Sequence, residues 1–221
     1  MCKLKSAIIL KDRIFMPDYD SHSKMLEELG ITDDYINASK VFVRAELAPE
    51  NGDVFSDIDG WKLEVDQDIM PEWFDEKDCA ERMRKAVKEW AKTHIFVGQN
   101  ELKISHGENI FIKDCKNVDI CGDATVKNIC GSATVKNIYD NATVEHICGS
   151  ATVEHIFGDA TVKNIYDNAT VKNIYDSATV ISSPYTKWSN SASLIISDNA
   201  TFKDCYSKTI YQAGGWKLVN I

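Results

Sequence analysis

From Cys121 the chain is a run of nine-residue units: CGDATVKNI, CGSATVKNI, YDNATVEHI, CGSATVEHI, FGDATVKNI, YDNATVKNI and YDSATVISS. Ala124, Ala133, Ala142, Ala151, Ala160, Ala169 and Ala178 mark the register. One such unit cannot bury its apolar side alone, so strict repetition demands a stacked, nearly one-dimensional array. Val, Ile, Thr and Tyr favour strands, and Gly-Asp, Asp-Asn, Gly-Ser and Asp-Ser recur as turn pairs. Ala124 and Val126 flank Thr125, so they share one face and Thr125 takes the other. Val126 to Ile129 is a step of three, which predicts a corner at Lys127-Asn128 and a second at the Gly/Asp turn pair. The pattern predicts a parallel β-solenoid with Ala, Val and Ile inside.

The number of units per coil follows from charge. Axial neighbours in a solenoid sit about 4.8 Å apart, close enough for like charges to repel. The residue after each repeat valine reads Lys127, Lys136, Glu145, Glu154, Lys163, Lys172. Nine residues per coil stacks Lys on Lys, and 27 stacks Lys136 on Lys163. Eighteen gives Lys127–Glu145–Lys163 and Lys136–Glu154–Lys172, opposite at every step. The turn residues agree, as Gly122, Asp140, Gly158, Asp176 and Gly131, Gly149, Asp167 never place Asp on Asp. Two units therefore make one coil.

This winding puts Cys121, Tyr139, Phe157 and Tyr175 in one outward column, and Cys130, Cys148 and Tyr166 in the other. Phe111, Cys115 and Ile120 carry the register upstream, with Asn117 in the valine slot. Ile196 to Phe202 restores it after an interruption containing Pro184. Open solenoid ends invite edge pairing. The expected caps are the first domain and the C-terminal stretch bearing Trp188 and Trp216.

The texture changes ahead of the repeats. Residues 1–117 carry −7 of the net charge of −9. Residues 1–100 read as an α+β head, 101–183 as the solenoid, and 184–221 as a degenerate rung and C-terminal cap. In the head, Ser6–Leu10, Arg13–Met16, Lys40–Leu47 and Trp61–Val65 read as strands. A short helix carries Met25, Leu26 and Leu29, capped by Asp20 or Ser21 and stopped at Gly30. A longer one runs from Glu76 to Thr93 behind Asp75, with Ala80, Met83, Val87 and Trp90 on one stripe.

The run Phe42-Val43-Arg44-Ala45-Glu46-Leu47, then Asn51-Gly52-Asp53-Val54-Phe55, Trp61, Val65-Asp66-Gln67-Asp68 and Pro71-Glu72-Trp73, resembles a family of uncharacterised proteins from tailed phages and gut bacteria. Those proteins join a small N-terminal domain to a repetitive β-rich tail. The resemblance covers most of the chain and implies a phage or mobile-element accessory protein. It carries no catalytic motif.

Composition narrows the function. The acidic balance argues against binding nucleic acid or an anionic membrane, since phosphates call for a cationic surface. No apolar run approaches a membrane span, and Ala7–Leu10 is too short for a signal peptide. Seven cysteines without paired spacing suit a reduced, cytoplasmic protein. Calcium-binding nonapeptide rolls need paired glycines that these repeats lack. Ice-binding solenoids resemble the threonine columns, but a flat double column is absent. Hexapeptide acyltransferases share the spacing Ile129 to Ala133 to Val135, which the step of three from Val135 to Ile138 interrupts.

Asp18, Asp20 and His22 have the residue types of a metal or acid–base site, against a bland reading as a capped loop. Asp57, Asp59, Asp66 and Asp68 could hold a hard cation, although the later ligands of a calcium loop are missing. His146 and His155 fall on opposite faces, so they take the corner role that Asn holds in other units. No nucleophile with a matched base is evident, and no cofactor is expected. The leading expectation is a non-enzymatic module that binds a protein partner, with Tyr139, Phe157, Tyr175 and Tyr166 as its contact surface. The alternatives are a metal-dependent enzyme using Asp18, Asp20 and His22, and an architectural or oligomer-forming solenoid.

Overall fold

The computed structural model describes residues 4–184 and 195–212. It divides into two units, Met1–Thr93 and His94–Ile221. The first is an antiparallel sheet with helices. Its strands are β1 (Lys5–Leu10), β2 (Ile14–Phe15), β3 (Phe42–Ala48) and β4 (Lys62–Val65), in the order β2-β1-β3-β4. Between them lie α1 (His22–Glu28) and α2 (Tyr35–Ala38), and α3 (Glu76–His94) follows.

Both sides of β1 are covered, so all six of its residues are buried rather than alternating. Ile8 and Leu10 pack with Met25 and Leu26 of α1, while the Lys5 ammonium lies 5.4 Å from the centre of the Trp90 ring on α3. The α3 stripe is as expected, with Ala80, Met83, Val87 and Trp90 buried. The Asp75 carboxylate accepts from the Asp78 N–H at 2.9 Å and caps its first turn. Ser21, not Asp20, caps α1. Helix α2 has no apolar period to announce it; Asp34 caps it by accepting from the Asn37 N–H at 2.8 Å.

The second unit is the solenoid. Its strands are β5 (Ile95–Val97), β6 (Lys103–Ile104), β7 (Ile110–Lys113), β8 (Val118–Ile120), β9 (Thr125–Cys130), β10 (Thr134–Ile138) and β11 (Thr143–Ile147). They continue as β12 (Thr152–Ile156), β13 (Thr161–Ile165), β14 (Thr170–Ile174), β15 (Thr179–Ile181), β16 (Ile195–Ile196), β17 (Thr201–Asp204) and β18 (Thr209–Gln212). Alternate strands from β5 to β17 build two parallel sheets, β16-β14-β12-β10-β8-β6 and β17-β15-β13-β11-β9-β7-β5, and β18 adds to the second beside β17. Thr125 pairs with Thr143 and Thr134 with Thr152, so residues eighteen apart are axial neighbours. The repeat Ala, Val and Ile residues form one continuous buried core.

Two details depart from the repeat reading. The corner expected at Lys127-Asn128 falls inside a strand: β9 runs through both residues, which are half-buried between the buried Val126 and Ile129. Upstream, the inward slots belong to Ile110 and Ile112, with Phe111 opposite Asn128, and Val118 takes the valine slot given above to Asn117. Those coils have one residue between inward positions where later coils have two. A register irregularity in each pairing absorbs the difference.

The turns explain the Gly/Asp alternation. Gly122, Asp140, Gly158 and Asp176 all hold a left-handed φ, between 54° and 69°. Asp140 accepts from the Gly122 N–H at 3.1 Å, and Asp176 from the Gly158 N–H at 3.0 Å. Each aspartate thus satisfies a backbone donor of the glycine one coil back. A Cβ on Gly158 would lie 2.9 Å from the Asp140 nitrogen, too close for any other residue there. At the far end β18 pairs antiparallel with β17, so a hairpin closes this sheet. The proposed cap residues Trp188 and Trp216 lie outside the described residues.

Candidate interaction edge of the solenoid

The outward column follows directly from the strand ends. Strands β8, β10, β12 and β14 each finish on a buried isoleucine, and the next side chain lies at the edge before the chain turns. In the sheet containing β8, β10, β12 and β14, that side chain is Cys121, Tyr139, Phe157 and Tyr175 in turn. All three aromatics are half-buried. Tyr139 and Phe157 stack with ring centres 5.1 Å apart and planes 6° from parallel. Below them, a hydrogen bond with the Cys121 thiol, then burial, pushes the Tyr139 phenol up to about 12.

The column is not one continuous ladder. The Tyr175 ring stacks on His155, centre to centre 5.9 Å, and its hydroxyl lies 3.4 Å from the His155 Nδ1. On the other sheet Tyr166 stacks on His146 at 5.4 Å and is hydrogen-bonded to its Nδ1. Each tyrosine sits one coil up and two residues on from its histidine. The corresponding neighbours of Tyr139 and Phe157 are Asp119 and Asn137, which are hydrogen-bonded to each other at 2.8 Å. A ring therefore turns to histidine where one is available and to the adjacent ring where it is not.

The histidines occupy the Asn slot, as expected. His146 pairs in register with Asn128 and Asn164, and His155 with Asn137 and Asn173. Burial holds the His146 imidazole below its ordinary value of 6.5. Charge ladders flank this edge. Glu145 accepts from Lys127 at 2.9 Å and from Lys163 at 3.4 Å, and Glu154 from Lys172 at 3.2 Å.

Several of the head side chains singled out for metal or acid–base work have partners of their own. Asp20 lies 3.5 Å from the buried Lys5 ammonium and accepts from the Ser6 N–H at 3.2 Å. His22 is buried, with Nε2 3.2 Å from the Ala45 carbonyl and Nδ1 3.5 Å from Asp66. Asp18 contributes negative charge near Lys5. Asp57 accepts from the Asp59 N–H at 3.1 Å, Asp59 pairs with Lys88, and Gln67 bridges the Ala38, Phe42 and Ile69 carbonyls. Among the described residues, no three His, Cys, Asp or Glu side chains gather to hold a metal ion. A groove of about 850 Å³ along α3 interleaves Lys62, Lys85 and Lys88 with Asp59, Glu81 and Glu89, so neither charge sign dominates it.

Sequence spacing finds the edge column but misses the His–Tyr pairs, whose signal is a separation of twenty rather than eighteen. No helix among the described residues is long and apolar enough to cross a membrane. No protein-family model matches the chain, and neither a curated protein nor a solved structure matches it.

Proposed function

We propose that this protein is a non-enzymatic, cytoplasmic protein–protein interaction module whose contact surface is the edge bearing Tyr139, Phe157, Tyr175 and Tyr166. The observation that carries this reading is the stacked Tyr139–Phe157 pair, 5.1 Å between centres. Rings already held by stacking lose little side-chain entropy on binding, and half-buried aromatics make strong anchors. The His–Tyr pairs stiffen the neighbouring positions in the same way. The net charge of −9 favours a partner with a basic or neutral surface over nucleic acid. The phage or mobile-element reading of the run from Phe42 to Trp73 extends the proposal: the partner is a host protein that the module occupies and inhibits.

The test is affinity capture from bacterial lysate with the intact chain, the combined Tyr139→Ala/Phe157→Ala/Tyr175→Ala variant, and a Thr134→Arg control on the broad face. The expected result is a partner recovered by wild type and control and lost by the triple variant, with all three folded by circular dichroism. Equal recovery by the triple variant overturns the assignment of the edge.

A further inference from the structure

Cys130 and Cys148 occupy the same edge slot in consecutive coils, where the units above carry aromatics. The register pairs Ile129 with Ile147 just before them, and the Cys148 N–H donates to the Ile129 carbonyl at 2.9 Å. Their backbones are therefore about 4.8 Å apart, inside the roughly 4.4–6.8 Å window that a disulfide spans between Cα atoms. Each thiol is the largest single influence on the acidity of the other. Both are partly exposed, unlike the buried Cys79, Cys115 and Cys121.

We propose that Cys130 and Cys148 form a dithiol site that small-molecule disulfides of the glutathione type oxidise to an intrachain disulfide, linking two adjacent coils. The Cys148 thiolate attacks one sulfur of the small disulfide, forming a mixed disulfide and expelling one small thiolate. Cys130 then loses its proton and attacks the Cys148 sulfur, expelling the second. One S–S bond breaks and one forms, and the two protons leave on two small thiols. The order of attack follows from acidity. Interaction with Cys130 holds the Cys148 thiol below its ordinary value, against burial and the Asp167 charge. Interaction with Cys148, then burial, pushes Cys130 up. Cys148 is thus the better nucleophile and Cys130 the resolving thiol.

The full chain is incubated with excess oxidised glutathione, alkylated and mapped by peptide mass spectrometry, alongside Cys130→Ser and Cys148→Ser. Wild type is expected to yield a Cys130–Cys148 cross-linked peptide and to revert with a reducing dithiol. Cys130→Ser is expected to hold glutathione on Cys148, and Cys148→Ser to glutathionylate Cys130 about tenfold more slowly. Folded wild type that gives no Cys130–Cys148 cross-link, or links either cysteine elsewhere, overturns the proposal whether or not the serine variants fold.

Discussion

The Lys127 ammonium lies 2.9 Å from the Glu145 carboxylate, although eighteen residues separate them in the chain. Lys163 approaches the other oxygen of the same carboxylate at 3.4 Å, so one glutamate bridges three coils. Axial proximity of this kind is what selects two repeats per coil over one or three.

Burial pushes the Glu145 carboxyl up, but hydrogen bonding and charge from Lys127, and then Lys163, outweigh it and leave it below its ordinary value of 4.5. A carboxyl depressed in the folded state stabilises fully above its unfolded pKa. That contribution drains as pH falls through the lower folded value. Urea denaturation between about pH 7 and about pH 3 is expected to show this loss in wild type and a flatter response in Glu145→Gln. Glu145→Lys stacks three like charges and is expected to cost about 1–2 kcal/mol at neutral pH, two exposed pairs at about 0.2–1 kcal/mol each plus repulsion.

His146 gives a second pH window. Burial depresses its pKa, so stability is full above 6.5 and falls as pH drops through the folded value, where the imidazole must charge. Histidine NMR titration is expected to place its midpoint below 6.5. His146→Asn installs the residue that Asn128 and Asn164 already supply in register, and should fold normally while losing this part of the pH dependence.

Gly158→Ala meets both a left-handed φ of +69° and a clash with the Asp140 backbone. The expected loss is about 1–3 kcal/mol in chemical denaturation. Ser150→Ala, at an exposed turn position in the preceding unit, should stay within about 0.5 kcal/mol of wild type.

Ile147 is fully buried between the sheets, so Ile147→Ala is expected to cost about 2–5 kcal/mol and Ile147→Val about 0.5–1.5 kcal/mol. Each coil buries its apolar face only against its neighbours, so thermal unfolding of Ile147→Ala should broaden as cooperativity along the stack weakens.

The repeat alone determined the winding, the inward Ala, Val and Ile, the charge ladders and the edge columns, because a strict period turns chain separation directly into axial position. Tertiary structure decided what each edge ring touches. Tyr175 chooses His155 and Tyr139 chooses Phe157 according to the side chain one coil down and two residues back, which a column of equivalent positions does not reveal. It also decided the fate of Asp18, Asp20 and His22, which lie close in sequence yet serve the buried Lys5, a strand N–H and the Ala45 carbonyl. The head has no period, so its contacts come from packing between distant segments, and only the folded chain brings those segments together.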